Sequence, residues 1–275
     1  MSKVSICIPT YNGEEFIKET IESALYQSYE NIEIIVNDDA SIDKTKEIVL
    51  SFNNPKIKYY CNEKNIKACA NCNAAVDHAS GEYIKFLFQD DILLPNAIEK
   101  EVEAFLNNDI VLTISDTILI NNKAKKIGML KHLRQKGVLD GKKVAKKNAL
   151  WRNYFGAPVN NLFRKDAYIN VGGYDEECRS ITDMDIASRI ACTGKVYNFT
   201  ECLCMFRVHN KGFTTEAMGD KYHDFIKDHV DMLKRHQQMK LYPLSDFELF
   251  WGILMRRIRY RAGQIYMKFI LKKRK

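Results

Sequence analysis

The chain has 275 residues, 46% of them hydrophobic and 28% charged, with a formal net charge of +7. It is long enough to bury a sizeable core as one large domain, or as one domain with an appendage. No apolar run reaches the roughly 18 residues that a membrane-spanning helix needs, and Met1 to Lys3 leads into a strand-like segment without a secretory h-region, so a cytoplasmic protein is expected.

The first strand signal is "VSICIP" (Val4 to Pro9), which ends on the polar "TYNGEE". Phe16, Ile17, Ile21, Ala24 and Leu25 then recur at helical spacing behind Glu14 and Glu15. A second strand, "IEIIVN" (Ile32 to Asn37), stops on "DDASID", where Asp43 and Thr45 open a helix carrying Ile48, Val49 and Phe52. Ser41 or Asp43 can cap that helix by accepting from its free amides. "IKYYC" (Ile57 to Cys61), "YIKFLF" (Tyr83 to Phe88) and "IVLTIS" (Ile110 to Ser115) complete the strand series. Near-continuous apolar strands alternating with helices predict an α/β fold: a Rossmann-like, mostly parallel sheet covered on both faces, with ligands at the carboxyl ends of the strands.

Those strand ends are acidic although the protein is basic. "FLFQDD" (Phe86 to Asp91) drives an apolar run into two adjacent carboxylates, whose repulsion of a few tenths to about 1 kcal/mol a bound cation would offset. An acidic edge of this kind suits a cation bridging to an anionic ligand. Of the eight cysteines, Cys69 and Cys72 have CxxC spacing and Cys202 and Cys204 stand one residue apart. Neither pair has the turn glycines or nearby histidines of a zinc or redox motif, so all are read as reduced, mostly buried thiols. Residues 123–147 are dense in lysine, which reads as a solvated insertion near the site's edge or as a patch for an anionic acceptor. From Asp246 onward, Phe247, Trp251, Leu254, Ile258, Ala262, Ile265 and Phe269 mark a basic amphipathic helix.

The segment "VSICIPTYNGEEFIKETIESALYQSYENIEIIVNDDASIDKT" resembles the start of the family 2 inverting glycosyltransferases with the GT-A fold. "ASGEYIKFLFQDDILLP", "NVGGYDE", "ITDMDIASRI" and "FRVH" look like that family's later motifs in the expected order. The resemblance implies a GT-A catalytic domain over residues 1–215 and a C-terminal helical extension over 216–275. It also implies transfer of a sugar from a nucleotide diphosphate sugar, with UDP as the expected nucleotide, to a hydroxyl of a glycan or lipid-linked acceptor. Mn²⁺ or Mg²⁺ is the implied cofactor.

Carried over residue by residue, Pro9, Thr10, Tyr11 and Asn12 correspond to the first nucleotide-binding loop, with the tyrosine ring beside the base. Asp38 and Asp39 match the acidic pair of "DDGS", one of which accepts the uracil N3 hydrogen, and Ala40 stands at the glycine of that motif. Within "EKNIKACANCNAAV", Asn65 and Asn73 match donor-side positions, while Lys67 replaces a glycine and Cys72 an arginine. Lys67 and Lys85 are read as solvated surface lysines. Asp90 and Asp91 correspond to the DXD motif that holds the metal against the donor's phosphates, with Phe88 at an often acidic position. Asp183 matches the general base of the "ED" motif, Thr182 replacing the glutamate. Asp185, about 200° further round a helix, is read as a cap or a salt-bridge partner. Arg207 and His209 are candidates for phosphate or metal contact, and Gly172, Gly173, Tyr174 and Asp175 for shaping the acceptor pocket.

Two other readings stay open at this point: a nucleotide-sugar-binding protein without transfer, and a sugar-phosphate nucleotidyltransferase, which wants a Gly-rich basic loop where this chain has "TYNGEE". Nucleic acid is not expected as a partner, because no basic motif with interleaved aromatics is present. The C-terminal helix is expected either to lie on the anionic inner surface of a membrane or to pack on the catalytic domain or a second copy, giving a homodimer.

Overall fold

The computed structural model describes residues 1–178, 180–209 and 222–273, with side chains for all of these except 222–224, 260 and 262–273. Its centre is four parallel strands, β1 (Val4–Thr10), β2 (Ile32–Asp38), β3 (Ile57–Cys61) and β4 (Tyr83–Phe86), in the order β3-β2-β1-β4. Every residue of β1, β2 and β4 is buried, which is why these strands run apolar with little alternation. On one face, Ile17 and Ile21 of α1 (Ile17–Leu25) and Val49 of α2 (Thr45–Ser51) meet Ile6, Ile8 and Ile34. On the other, Cys72, Ala75 and Val76 of α3 (Ala68–Asp77) pack over Cys7 and Ile35.

Beyond β4 the sheet becomes mixed. β9 (Leu162–Arg164) pairs antiparallel with β4 and with β6 (Ile110–Ile120), and β10 (Lys195–Arg207) lies parallel to β6. The short β5 (Ile92–Leu93) closes that edge against β10, giving ten strands in all. β6 continues to Ile120 rather than stopping at Ser115, because its far half is held by β10 and by β7 (Lys126–Leu130). The lysine-dense stretch is therefore ordered structure: β7, then β8 (Gly137–Asp140) against β10, then α5 (Gly141–Leu150), which Asp140 caps by accepting from Lys143 N at 3.0 Å.

Lys85 departs from the sequence reading. It is fully buried in β4, with Nζ 2.8 and 2.7 Å from the two carboxylate oxygens of Glu101 on α4 (Ala97–Ala104), and Thr113 adds a hydrogen bond to the same group. Desolvating a lysine is tolerable only when a carboxylate neutralises it, and the partner lies 16 residues away, where no local pattern announces it.

Three further helices complete the second face: α6 (Lys165–Asn170), α7 (Thr182–Ala191) and α8 (Tyr222–Gln238). The last helix, α9 (Asp246–Lys273), packs Leu249 and Ile253 into the core, sets Gly252 beside Leu150 and Leu233, and anchors Arg256 on the Ala149 carbonyl at 3.0 Å. The expected domain boundary near residue 215 and the helix positions Ala262, Ile265 and Phe269 lie outside the described residues and side chains. Among the described residues no helix is long and apolar enough to cross a membrane.

Candidate active site

The tips of β1 and β2 form one platform through reciprocal hydrogen bonds. Asn12 N donates to Ser41 Oγ (2.8 Å) and Ile42 N to Asn12 Oδ1 (3.0 Å), while Glu14 N donates to Asp43 Oδ2 (3.0 Å) and Lys44 N to Glu14 Oε2 (3.0 Å). Ser41 thus braces the first loop, and of the two expected caps Asp43 reaches the helix, accepting from Thr45 N at 3.0 Å. Pro9 and Thr10 are buried under this platform, and Tyr11 stands 45% exposed on it. Gln89, which sequence reading passed over, ties the platform to the tip of β4. Its Oε1 accepts from Thr10 Oγ1 (2.5 Å) and Tyr11 N (2.8 Å), and its Nε2 donates to Tyr11 O (3.2 Å).

Asp38 and Asp39 are buried and structurally engaged. Asp38 accepts from Ser41 N (2.9 Å) and Tyr59 OH (2.7 Å). Asp39 accepts from Asn62 Nδ2 (2.9 Å), Ile66 N (2.7 Å) and Lys67 N (3.0 Å), shaping the loop after β3. Ala40 (φ +60°) and Lys67 (φ +78°) both hold the left-handed backbone that favours glycine. Both loops therefore keep the glycine shape despite the replacements, at a strain of about 1 kcal/mol or more each. Lys67 is exposed, as expected. Within the same loop Asn65 Oδ1 is buried with no hydrogen-bond partner among the described residues, an acceptor that a bound nucleotide could satisfy.

Asn73 and Arg207 serve differently from their sequence assignments. Asn73 donates to Tyr174 O (3.0 Å) and Glu176 Oε1 (3.3 Å) and accepts from Tyr168 OH (2.5 Å) and Tyr174 N (2.9 Å), so its amide is saturated by the Gly173–Tyr174 loop. Arg207 is 2% exposed and donates to the carbonyls of Asp90 (2.9 Å), Asn121 (3.0 Å) and Asn122 (3.1 Å), pairs with Glu19 and lies over the Phe16 ring. A guanidinium so enclosed fastens the Asp90–Asp91 tip instead of reaching into solvent for a diphosphate.

Asp91 is 1% exposed and accepts from Arg207 N at 3.1 Å; Asp90 faces outward, with its Oδ2 2.8 Å from His209 Nε2. Burial, and then the charge of Asp90, push the Asp91 carboxyl well above the usual carboxylate range. Two adjacent acids with that desolvation fit a divalent cation chemically. No three His, Cys, Asp or Glu side chains among the described residues converge as a cage, so phosphate and water oxygens would have to complete the shell.

Asp183 sits in the first turn of α7, partly buried, and accepts from Asn153 Nδ2 at 3.0 Å. Phe86, Phe163, Tyr174 and Ile186 line a void of about 10 Å³ beside it, room for no more than a water, and Phe86 is the last residue of β4, four positions before Asp90. Burial raises the Asp183 pKa to about 6, partly opposed by backbone amides and by Asn153. Asn153 was not singled out from the sequence; it lies in an irregular turn with no motif to mark it. Asp185 points into a buried cluster, accepting from Arg189 Nε (2.8 Å), Arg235 Nη2 (2.9 Å) and His236 Nε2 (2.9 Å). Burial opposes its ionisation, but the His236 hydrogen bond and the charges of Arg189, His236 and Arg235 hold it well below the usual carboxylate range. Tyr174 is buried in an aromatic cluster and Asp175 pairs with Arg235, so neither is presented to an acceptor.

Residues 5–172, more than half of the chain, match the model of glycosyl transferase family 2. A glycosyltransferase of Rickettsia typhi is 33% identical over 221 residues, covering 78% of this chain and 67% of that protein. The Escherichia coli UDP-Glc:α-D-GlcNAc-diphosphoundecaprenol β-1,3-glucosyltransferase WfgD is 40% identical over 121 residues, 44% of this chain and 48% of its own. Among solved structures, Staphylococcus aureus TarS 1–349 superposes with a TM-score of 0.70 at 17% identity, covering 94% of this chain and 72% of that one. The Pyrobaculum calidifontis mannosyltransferase PcManGT, in complex with GDP-Man and Mn²⁺, gives 0.64 at 15% identity, covering 94% and 70%. Motif order, a GT-A-like sheet and these matches agree: the chain belongs to glycosyl transferase family 2.

Proposed function

We propose that the chain is an inverting glycosyltransferase that uses a UDP-sugar and passes the sugar to a hydroxyl of a glycan or lipid-linked acceptor. The observation that carries this reading is that two acidic groups are tied to one strand: Asp90 and Asp91 follow β4, and Asp183 lines the same small void as Phe86, the last residue of β4. Tyr11 would lie against the base, Asp38 or Asp39 and the free Asn65 Oδ1 would meet its polar edge, and Asp90 and Asp91 would hold a divalent cation, with His209 positioning Asp90 through their 2.8 Å contact. That cation would supply positive charge for the departing diphosphate.

Asp183 takes the proton from the acceptor hydroxyl as that oxygen bonds to the anomeric carbon from the face opposite the diphosphate. The carbon–oxygen bond to the diphosphate breaks, its electrons leave on UDP, and the configuration inverts. Asn153 holds the carboxylate in orientation, and the preserved loop shapes at Ala40 and Lys67 speak for a working donor site over a decayed one. The UDP-sugar donor and diphosphate-linked acceptor of the E. coli relative support the same substrate classes. In a thermal-shift panel of UDP-, GDP- and dTDP-sugars with Mn²⁺, the UDP-sugars should raise the melting temperature most, and no shift with any of them would sink the donor assignment.

The last helix supports a place at a lipid surface. Its core-facing side carries Leu249, Gly252, Ile253 and Arg256, whereas Phe247, Phe250, Trp251 and Ile258 are 73, 62, 48 and 50% exposed. Through Ile258 the stripe read from the sequence is thus the outward one, and packing uses the other face. Exposed aromatics flanked by Arg257, Arg261, Lys272, Lys273, Arg274 and Lys275 suit the anionic inner face of a membrane. The full chain should co-sediment with phosphatidylglycerol vesicles, and Phe250→Ser/Trp251→Ser should lose most of that binding; equal pelleting of both proteins would rule the surface out.

A further inference from the structure

The turn that orients Asp183 also gathers cations that form no ion pair among the described residues. Lys147 Nζ and the Arg152 guanidinium lie 4.8 and 4.9 Å from the centre of one ring, Tyr154. Arg259 from the last helix lies 5.2 Å from the Trp151 ring and donates to the Trp151 carbonyl. Arg152 is fixed to the strand-end loop before it, its Nη2 donating to the carbonyls of Lys131 (3.3 Å) and His132 (3.1 Å). Lys147 lies in the last turn of α5, Arg152 in the turn after it, and Arg259 comes from the last helix; all three are exposed, and none has an ion-pair partner among the described residues. Some surface cations of the chain pair, as Lys146 does with Glu248 at 2.6 Å and Lys195 with Asp109 at 2.7 Å; what sets this group apart is its gathering on two neighbouring rings.

Like charges on a shared aromatic repel one another, and the tyrosine and tryptophan faces offset only part of that. The hydrogen bonds of Arg152 use Nη2 alone, which leaves its Nε and Nη1 donors for separate single contacts with an oxyanion. The next residue, Asn153, holds the Asp183 carboxylate. Resting on the acceptor side of the proposed function, we infer that this cluster binds the phosphate of the acceptor: the enzyme takes a sugar that carries a phosphate or diphosphate, read by Arg152, Lys147 and Arg259 while a hydroxyl of that sugar meets Asp183. Trp151, 47% exposed beside Arg259, reports on the site.

The chain has two tryptophans, so Trp251→Phe leaves Trp151 as the sole indole. In the full-length Trp251→Phe protein, kept in EDTA so that the donor side holds no cation, inorganic pyrophosphate should produce a saturable change in fluorescence. Adding Lys147→Gln and Arg152→Gln should raise the midpoint at least about tenfold, since two charge-assisted contacts are lost. Lys142→Gln/Lys143→Gln, which removes the same charge from the exposed first turn of α5, should leave the midpoint unchanged. The glutamine at 152 can still donate to the Lys131 carbonyl, so the turn is retained. No saturable response, equal midpoints with and without the Lys147 and Arg152 changes, an equal loss in the Lys142/Lys143 control, or a response to phosphatidylglycerol vesicles but not to pyrophosphate would each overturn the assignment. The UDP-dependent thermal shift with Mn²⁺ is measured on the same proteins; if that shift is absent, the donor reading fails independently of the phosphate cluster.

Discussion

Asp183→Asn should lower sugar transfer by roughly 10² to 10⁴ while leaving donor affinity unchanged, because the amide keeps the shape of the carboxylate and cannot take a proton. Steady-state kinetics with separate donor titration check this, and a collapse of donor binding with normal turnover of the bound fraction would move Asp183 out of the base role. The wild-type rate should rise with pH through about 6, the raised pKa of this group, as the base form accumulates. Stability should run the other way. The folded protein binds this proton more tightly than the unfolded chain, whose carboxyl keeps its ordinary value of 3.8. Stability from this group therefore falls as pH rises from about 4 to about 6, and the loss persists above that window. Asparagine removes the penalty, so at pH 8 the variant should melt no lower than the wild type even as transfer fails.

Asp185→Ala should be the most destabilising single change near the site, at about 3–5 kcal/mol, because it strands Arg189, Arg235 and His236 without their shared carboxylate. For a chain of this size that corresponds to a melting temperature lower by roughly 10 °C, and a change below about 2 °C would show that the cluster is energetically neutral. The same cluster joins the helix bearing Asp183 to α8, with His236 also hydrogen-bonded to Tyr242 at 2.9 Å. The C-terminal helices thus brace the helix that carries Asp183, which is more than the appended role expected of them.

The first four strands and two helices were legible because their signals are local: an apolar run, a turn residue, a helical period. β5, β7, β8, β9 and β10 were not, since each is short, partly polar or defined by a partner far along the chain. The same division holds at the site. Motif order singled out Tyr11, Asp90, Asp91 and Asp183, the residues on which the proposed function rests, and the glycine-like backbone at Ala40 and Lys67 kept the loops that the motifs describe. Burial and pairing decided the rest. Lys85, Arg207 and Asn73 each look available in the sequence, but each is enclosed by groups from distant segments: Glu101, then Glu19 with three carbonyls, then the Tyr168–Tyr174 loop. Gln89 and Asn153 carry no pattern at all, and only the close approach of two loops gives them work.

The central claim is that Asp90 and Asp91 hold the donor's diphosphate through a divalent cation, and calorimetric titration of UDP into the full chain tests it most directly. Burial and the neighbouring acid strain the Asp91 carboxylate in a way that a cation relieves. UDP should therefore bind in Mn²⁺, weaken at least about tenfold in EDTA, and weaken comparably in Asp91→Asn whether or not Mn²⁺ is present. Affinity for UDP that is the same in Mn²⁺ and EDTA, and the same again in Asp91→Asn, would contradict the account.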